Sequence, residues 1–72
     1  MRVVSQDGVT DIPYEVSTIA QIDGIISARY GQLNYIIAEY RNPDVAALEM
    51  NILLSAYKNG EKVFIFPEDP GI

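Results

Sequence analysis

The sequence predicts an α+β fold: an antiparallel sheet of about four or five strands in meander order, one helix packed on one face, and a final strand after the helix. Three observations carry this reading. Extended runs before residue 41 are separated by Asp7-Gly8, Asp23-Gly24 and Gly31-Gln32. The hydrophobic period then changes at Asn42-Pro43-Asp44. An apolar run, Val63-Phe64-Ile65-Phe66, follows Asn59-Gly60.

Residues 2–6 open the chain with β-branched Val3 and Val4 and end at Asp7-Gly8, a pair suited to a tight turn because its central positions tolerate positive φ. Residues 9–12 form a short return arm. Pro13 has no N–H, so it belongs at a sheet edge or breaks the strand. Residues 16–22 alternate, with Val16, Thr18, Ala20 and Ile22 on one face and Ser17, Ile19 and Gln21 on the other. Asp23-Gly24 turns this run into residues 25–30. Gly31-Gln32 turns that run into the longest strand, residues 33–40.

At the helix start, Asn42 caps free N–H groups, Pro43 suits the first helical position, and Asp44 sits at the positive end of the helix dipole. The helix runs to Lys58 and stops at Asn59-Gly60. Leu48, Ile52, Val45 and Ala56 make one apolar stripe. Leu53, Ala46, Tyr57 and Met50 make a second, extended by Leu54 and Ala47. Asp44, Asn51, Ser55 and Lys58 form the polar stripe, and Glu49 falls between the two apolar ones. A helix lying on a sheet needs an apolar arc of about 100° or slightly more, so part of this wider surface needs a second cover. That cover is either the chain itself, through a curved sheet or residues 67–72 folded over the helix, or a second protein chain. Met50, Leu53, Leu54 and Tyr57 are the candidate interface residues. Residues 62–66 form the last strand, expected to pair with the first and tie both termini into the sheet; Pro67 ends it, and residues 67–72 read as a flexible tail.

Length and composition bound the rest. With 72 residues the chain makes a single domain, 1–72, and its stability is marginal without help. It has no Cys and no His, so disulfides, the usual structural zinc sites and Ser/His/Asp or Cys/His catalysis are excluded. Ser55 and Lys58 are helix neighbours on the solvated stripe. The acidic residues Asp7, Asp11, Glu15, Glu68 and Asp69 show neither a calcium-loop spacing nor room for a carboxylate cleft. No phosphate-binding glycine pattern occurs. Catalytic, cofactor and metal sites are therefore expected to be absent, and the chain is read as no enzyme.

Ten acidic residues oppose five basic ones, for a net charge of −5, and Arg2, Arg29, Arg41, Lys58 and Lys62 are scattered. Nucleic acid and anionic membrane are thus disfavoured as partners. Tyr30, Tyr35, Tyr40, Phe64 and Phe66 lie on expected strands without the basic neighbours of a base-stacking sheet, so they read as core or interface residues. No segment reaches the roughly 20 apolar residues of a membrane span, and the start meets a polar turn too soon for a signal peptide, so the expected location is cytoplasmic.

The opening Met1-Arg2-Val3-Val4-Ser5-Gln6-Asp7-Gly8, with Asp11-Ile12-Pro13-Tyr14-Glu15, resembles a group of small uncharacterised proteins of Gram-positive bacteria and their phages and prophages. The resemblance extends to Ile37-Ala38-Glu39-Tyr40, Ala47-Leu48-Glu49-Met50 and Phe64-Ile65-Phe66-Pro67, and so covers most of the chain. It implies a bacterial or mobile-element setting. Its motifs carry no known chemistry, and no functional residue is carried over. The expected function is a small non-enzymatic interaction or structural module whose partner is itself, as a homodimer or higher oligomer, or another protein. The alternatives are an acidic decoy or regulator of a basic protein, and a small-ligand or peptide-binding module.

Overall fold

The computed structural model describes residues 1–70. It is α+β, with six strands and one helix: β1 (Arg2–Val4), β2 (Asp11–Pro13), β3 (Thr18–Ile22), β4 (Ile25–Tyr30), β5 (Leu33–Glu39), α1 (Pro43–Lys58) and β6 (Val63–Ile65). The strands form two sheets, in the orders β2-β1-β6 and β3-β4-β5. The expectation of one meander of four or five strands is corrected on this point. Only β3-β4-β5 is an antiparallel meander, and β1 pairs with β6 in parallel.

Pro13 explains the split. It closes β2 at the outer edge of its sheet, opposite Arg2. The chain then makes a short 3₁₀ turn over Tyr14–Val16, where the Ser17 hydroxyl bonds the Pro13 carbonyl. The next strand therefore begins at Thr18, leaving Val16 exposed outside it.

The first hairpin differs from the expected two-residue turn. Residues 5–10 form a wider loop organised by buried Ser5. Its N–H bonds the Thr10 carbonyl (2.8 Å), its carbonyl accepts from Gly8 N–H (2.9 Å), and its hydroxyl both donates to Asp7 (2.5 Å) and accepts from Thr10 N–H (2.9 Å). The return arm thus starts at Asp11, and Val9 stays exposed at the loop tip.

The helix follows the sequence closely. Asn42 Oδ1 accepts from Asp44 N–H (2.8 Å), and Gly60 adopts φ 76° where the chain turns out of the helix. Its inward residues Ala46, Glu49 and Leu53 recur at helical spacing, and the helix packs against β3 and β4. The same core takes Val3 and Ile12 from the first sheet, Ile26, Ala28, Ile37 and Ala38 from the second, and Tyr40 and Phe66 just beyond their strands. Val3 to Ile65 spans most of the chain, so β1 and β6 bring both ends of the sequence into one ladder.

The segment expected as a tail is bonded over its first residues. The Pro67 carbonyl accepts from Gln6 Nε2 (3.0 Å) and from the Tyr40 hydroxyl (2.8 Å), and the Asp69 carboxylate accepts from Arg41 N–H (2.8 Å). The rest of that expectation, at residues 71–72, lies outside the described residues.

Gly24 is required by space and not by handedness. In the β3–β4 turn Asp23 takes the left-handed conformation (φ 53°). A Cβ on Gly24 would stand 1.9 Å from the Tyr40 carbonyl oxygen, on backbone that Tyr40 N–H anchors to the Gly24 carbonyl at 2.7 Å. Gly24→Ala should therefore destabilise the fold by about 1–3 kcal/mol, the usual range for forcing extra atoms into packed structure. Gly8→Ala, at an open site with φ 78°, should cost about 1 kcal/mol through strain alone. Urea unfolding of the two variants checks the order, and a Gly24→Ala that costs no more than Gly8→Ala contradicts it.

Candidate interaction surfaces

The four helix residues singled out from sequence separate in the structure. Leu53 is 2% exposed and belongs to the chain's own core. Met50 is half-buried against that core. Tyr57 lies at the surface with its ring 4.7 Å from that of Tyr14 at a tilt of 37°. Leu54 is 42% exposed. The inward face of the helix falls within the expected second stripe, and the expected first stripe leaves Leu48 and Ile52 on the opposite flank, both exposed. The spare apolar helix surface is thus divided between two flanks and does not form one patch.

Sequence reasoning missed the larger open surface, which is the outer face of β3-β4-β5. The register places Ile22 beside Ile25 and Glu39, Ala20 beside Ser27 and Ile36, and Thr18 beside Arg29 and Asn34. Ile22, Ile25 and Ile36 are 70%, 42% and 59% exposed. The opposite face carries Ile19 and Gln21, Ile26 and Ala28, and Tyr35 and Ala38, and turns toward the core, with the helix packed against β3 and β4. The alternation at residues 18–22 was visible, yet the more apolar of its two sets faces out. Gln21 can face in because its Nε2 donates to the carbonyls of Asp23 (2.7 Å) and Pro43 (3.2 Å), which satisfies the amide at the helix start.

A third feature is a shallow groove of about 170 Å³ lined by Gln6, Asp7, Ile36, Ile37, Ala38 and Glu39. It is smaller than the roughly 300 Å³ at which small-molecule sites begin. The groove lies where the two sheets meet. A bulge shifts the β4–β5 register between Ile26 and Ser27, so Ile37 has no partner on β4. Its carbonyl instead accepts from Gln6 N–H at 2.7 Å. The Gln6 side chain completes the join: Oε1 accepts from Glu39 N–H (3.0 Å), and Nε2 donates to the carbonyls of Glu39 (3.2 Å) and Pro67 (3.0 Å). Its amide thereby bonds one residue of β5 as a neighbouring strand would.

Of the acidic residues weighed for catalysis or cation binding, Asp7, Asp11, Glu15 and Asp69 are bonded within the chain. Asp7 accepts from the Ser5 hydroxyl and from Val9 N–H (3.0 Å), and these bonds keep its carboxyl below the usual range. Glu15 pairs with the N-terminal ammonium, which lowers its pKa in the same way, and Asp11 pairs with Arg2. Among the described residues no group of three or more acidic residues is placed to hold a metal ion. No described helix is long and apolar enough to cross a membrane.

Glu49 differs from these. It is 8% exposed on the inward face of the helix, between Ala46 and Leu53. Burial pushes its carboxyl above the ordinary value of 4.5. The nearby Tyr40 hydroxyl is pushed up to about 12, first by burial and then by the charges of Glu49 and Asp69. No family model, no curated protein and no solved structure matches the chain.

Two variants probe these arrangements. Gln6→Glu keeps the oxygen that accepts from Glu39 N–H but loses both donated bonds and sets a charge against two carbonyls. It should lower stability by about 1–3 kcal/mol in urea unfolding, and an unchanged midpoint would show that the sheets hold together without this join. For Glu49, a carboxyl whose pKa folding raises binds its proton more readily in the folded chain. Its ionisation therefore opposes folding, with no penalty below pH 4.5 and the full penalty above the raised pKa. Glu49→Gln should raise the melting temperature at neutral pH, and the gain should shrink as pH falls through this window. A gain independent of pH would mean that ionisation is not what burial penalises.

Proposed function

We propose that this chain is a small non-enzymatic interaction or structural module that works as a homo-oligomer, in the bacterial or prophage setting that its opening and closing motifs resemble. The observation that supports this most is the open outer face of β3-β4-β5, where Ile22, Ile25 and Ile36 lie exposed on neighbouring strands. One helix can cover only one side of a three-stranded sheet. A second chain is the simplest cover for the other side. Chain length adds to the case, since a domain this short gains stability by burying apolar surface between copies. The carboxylates bonded to backbone, ammonium or guanidinium favour a scaffold role over chemistry. The groove at the sheet junction is too small to favour the small-ligand alternative.

Molar mass by light scattering across a dilution series tests this reading. Mass should rise from monomer toward dimer or higher as concentration increases. A monomer at every concentration would remove self-association from the proposal.

A further inference from the structure

We propose that the open face of β3-β4-β5 seats the same face of a second copy, about a two-fold axis that lies between the sheets, runs across the strands and passes over Ser27. The inference rests on the homo-oligomer reading above and names its surface. Ser27 sits at the middle of the face, with Ala20 and Ile36 on either side in the register. Ile25 and Glu39 stand in the row to one end, and Arg29 and Asn34 in the row to the other.

A two-fold axis across the strands exchanges those end rows. It lays β4 of one copy antiparallel over β4 of the other and sets Arg29 of each copy over Ile25 of its partner, next to the partner's Glu39. Both ion pairs form at once, because a two-fold contact is self-complementary. Aligned sheets pack about 10 Å apart, a gap that Arg and Glu side chains span together. The other two-fold arrangement, with its axis along the strands, stacks Arg29 on Arg29 and opposes Ile22 to Glu39. Charge therefore selects the first.

The charges are free to serve this purpose. Among the described residues Arg29 and Glu39 make no ion pair within the chain. The outer face of the other sheet also exposes Val63 and Ile65, but its Arg2 is already paired with Asp11. Three strands about 4.8 Å apart, with about five residues each at about 3.4 Å, make a face on the order of 10 Å by 17 Å. This is well under the roughly 800 Å² per partner of a standard interface, so the dimer should be weak and transient.

The test measures dimerisation of the full chain by sedimentation equilibrium, with circular dichroism to confirm folding. Arg29→Glu and Glu39→Arg should each weaken the dimer by about tenfold, since each replaces two attractive pairs with two repulsive ones. The combined R29E/E39R variant should return to within about threefold of the unaltered chain. The single variants move the net charge in opposite directions from −5, so a loss in both marks local pairing and not overall repulsion. Leu54→Glu, on the helix flank, should leave the dimer intact. If one single variant fails to fold, the other still decides, because its dimer must be about tenfold weaker than that of the unaltered chain and must recover in the double variant. A dimer that ignores both reversals, or that Leu54→Glu disrupts, overturns this face and leaves the homo-oligomer reading standing. An unaltered chain that stays monomeric overturns that reading and this inference together.

Discussion

The join between Gln6 and the bulged end of β5 is the contact on which the rest of the architecture depends. Each sheet has three strands, and the core takes side chains from both. At Ile37 the extra residue breaks the β4 ladder and leaves a carbonyl for Gln6 N–H, while the Gln6 amide bonds Glu39 in both directions. Tyr40, the next residue, bonds Gly24 through its N–H and Pro67 through its hydroxyl. Residues 37–40 thus tie together the chain leaving β1, the β3–β4 turn and the chain leaving β6. The single core can then draw on both sheets.

The position of the helix follows from this frame. It lies over β3 and β4 and turns a narrow stripe inward. That stripe includes Glu49, whose charge stands near Tyr40 in surroundings that disfavour it. An ionisable group held there weakens the fold at neutral pH. The N-terminal acidic residues act in the opposite sense, because their hydrogen bonds and ion pairs favour the charged form. The two sets give the stability of the chain opposing dependences on pH.

The same frame exposes the surface that supports a role in association. One helix covers one side of the β3-β4-β5 sheet, and nothing among the described residues forms a second layer over the other side. Ile22, Ile25 and Ile36 lie exposed on adjacent strands there, among Thr18, Ala20, Ser27 and Asn34, with one cation and one anion at opposite ends. A solvated sheet face usually carries polar residues at alternate positions. The three exposed isoleucines depart from that pattern.

Signals that act over a few residues were legible in the sequence. The Asn42 cap, Pro43 at the first helical turn, the Gly60 stop, the β3–β4 and β4–β5 turns and the placement of Pro13 at a sheet edge all depend on backbone sterics and local hydrogen bonds. The α+β class follows from them. What only the tertiary structure decided depends on residues far apart in the chain. The parallel sense of the pairing between β1 and β6, the join from Gln6 to Glu39 and the need for Gly24 beneath Tyr40 leave no local pattern. The choice of faces is of the same kind. Alternation in β3 defines two sets of residues, but it cannot say which set meets the helix, because Ile19 and Gln21 turn inward only once Pro43 and Asp23 are there to bond the Gln21 amide. The outcome put Leu53 into the core and left Ile22, Ile25 and Ile36 outside it.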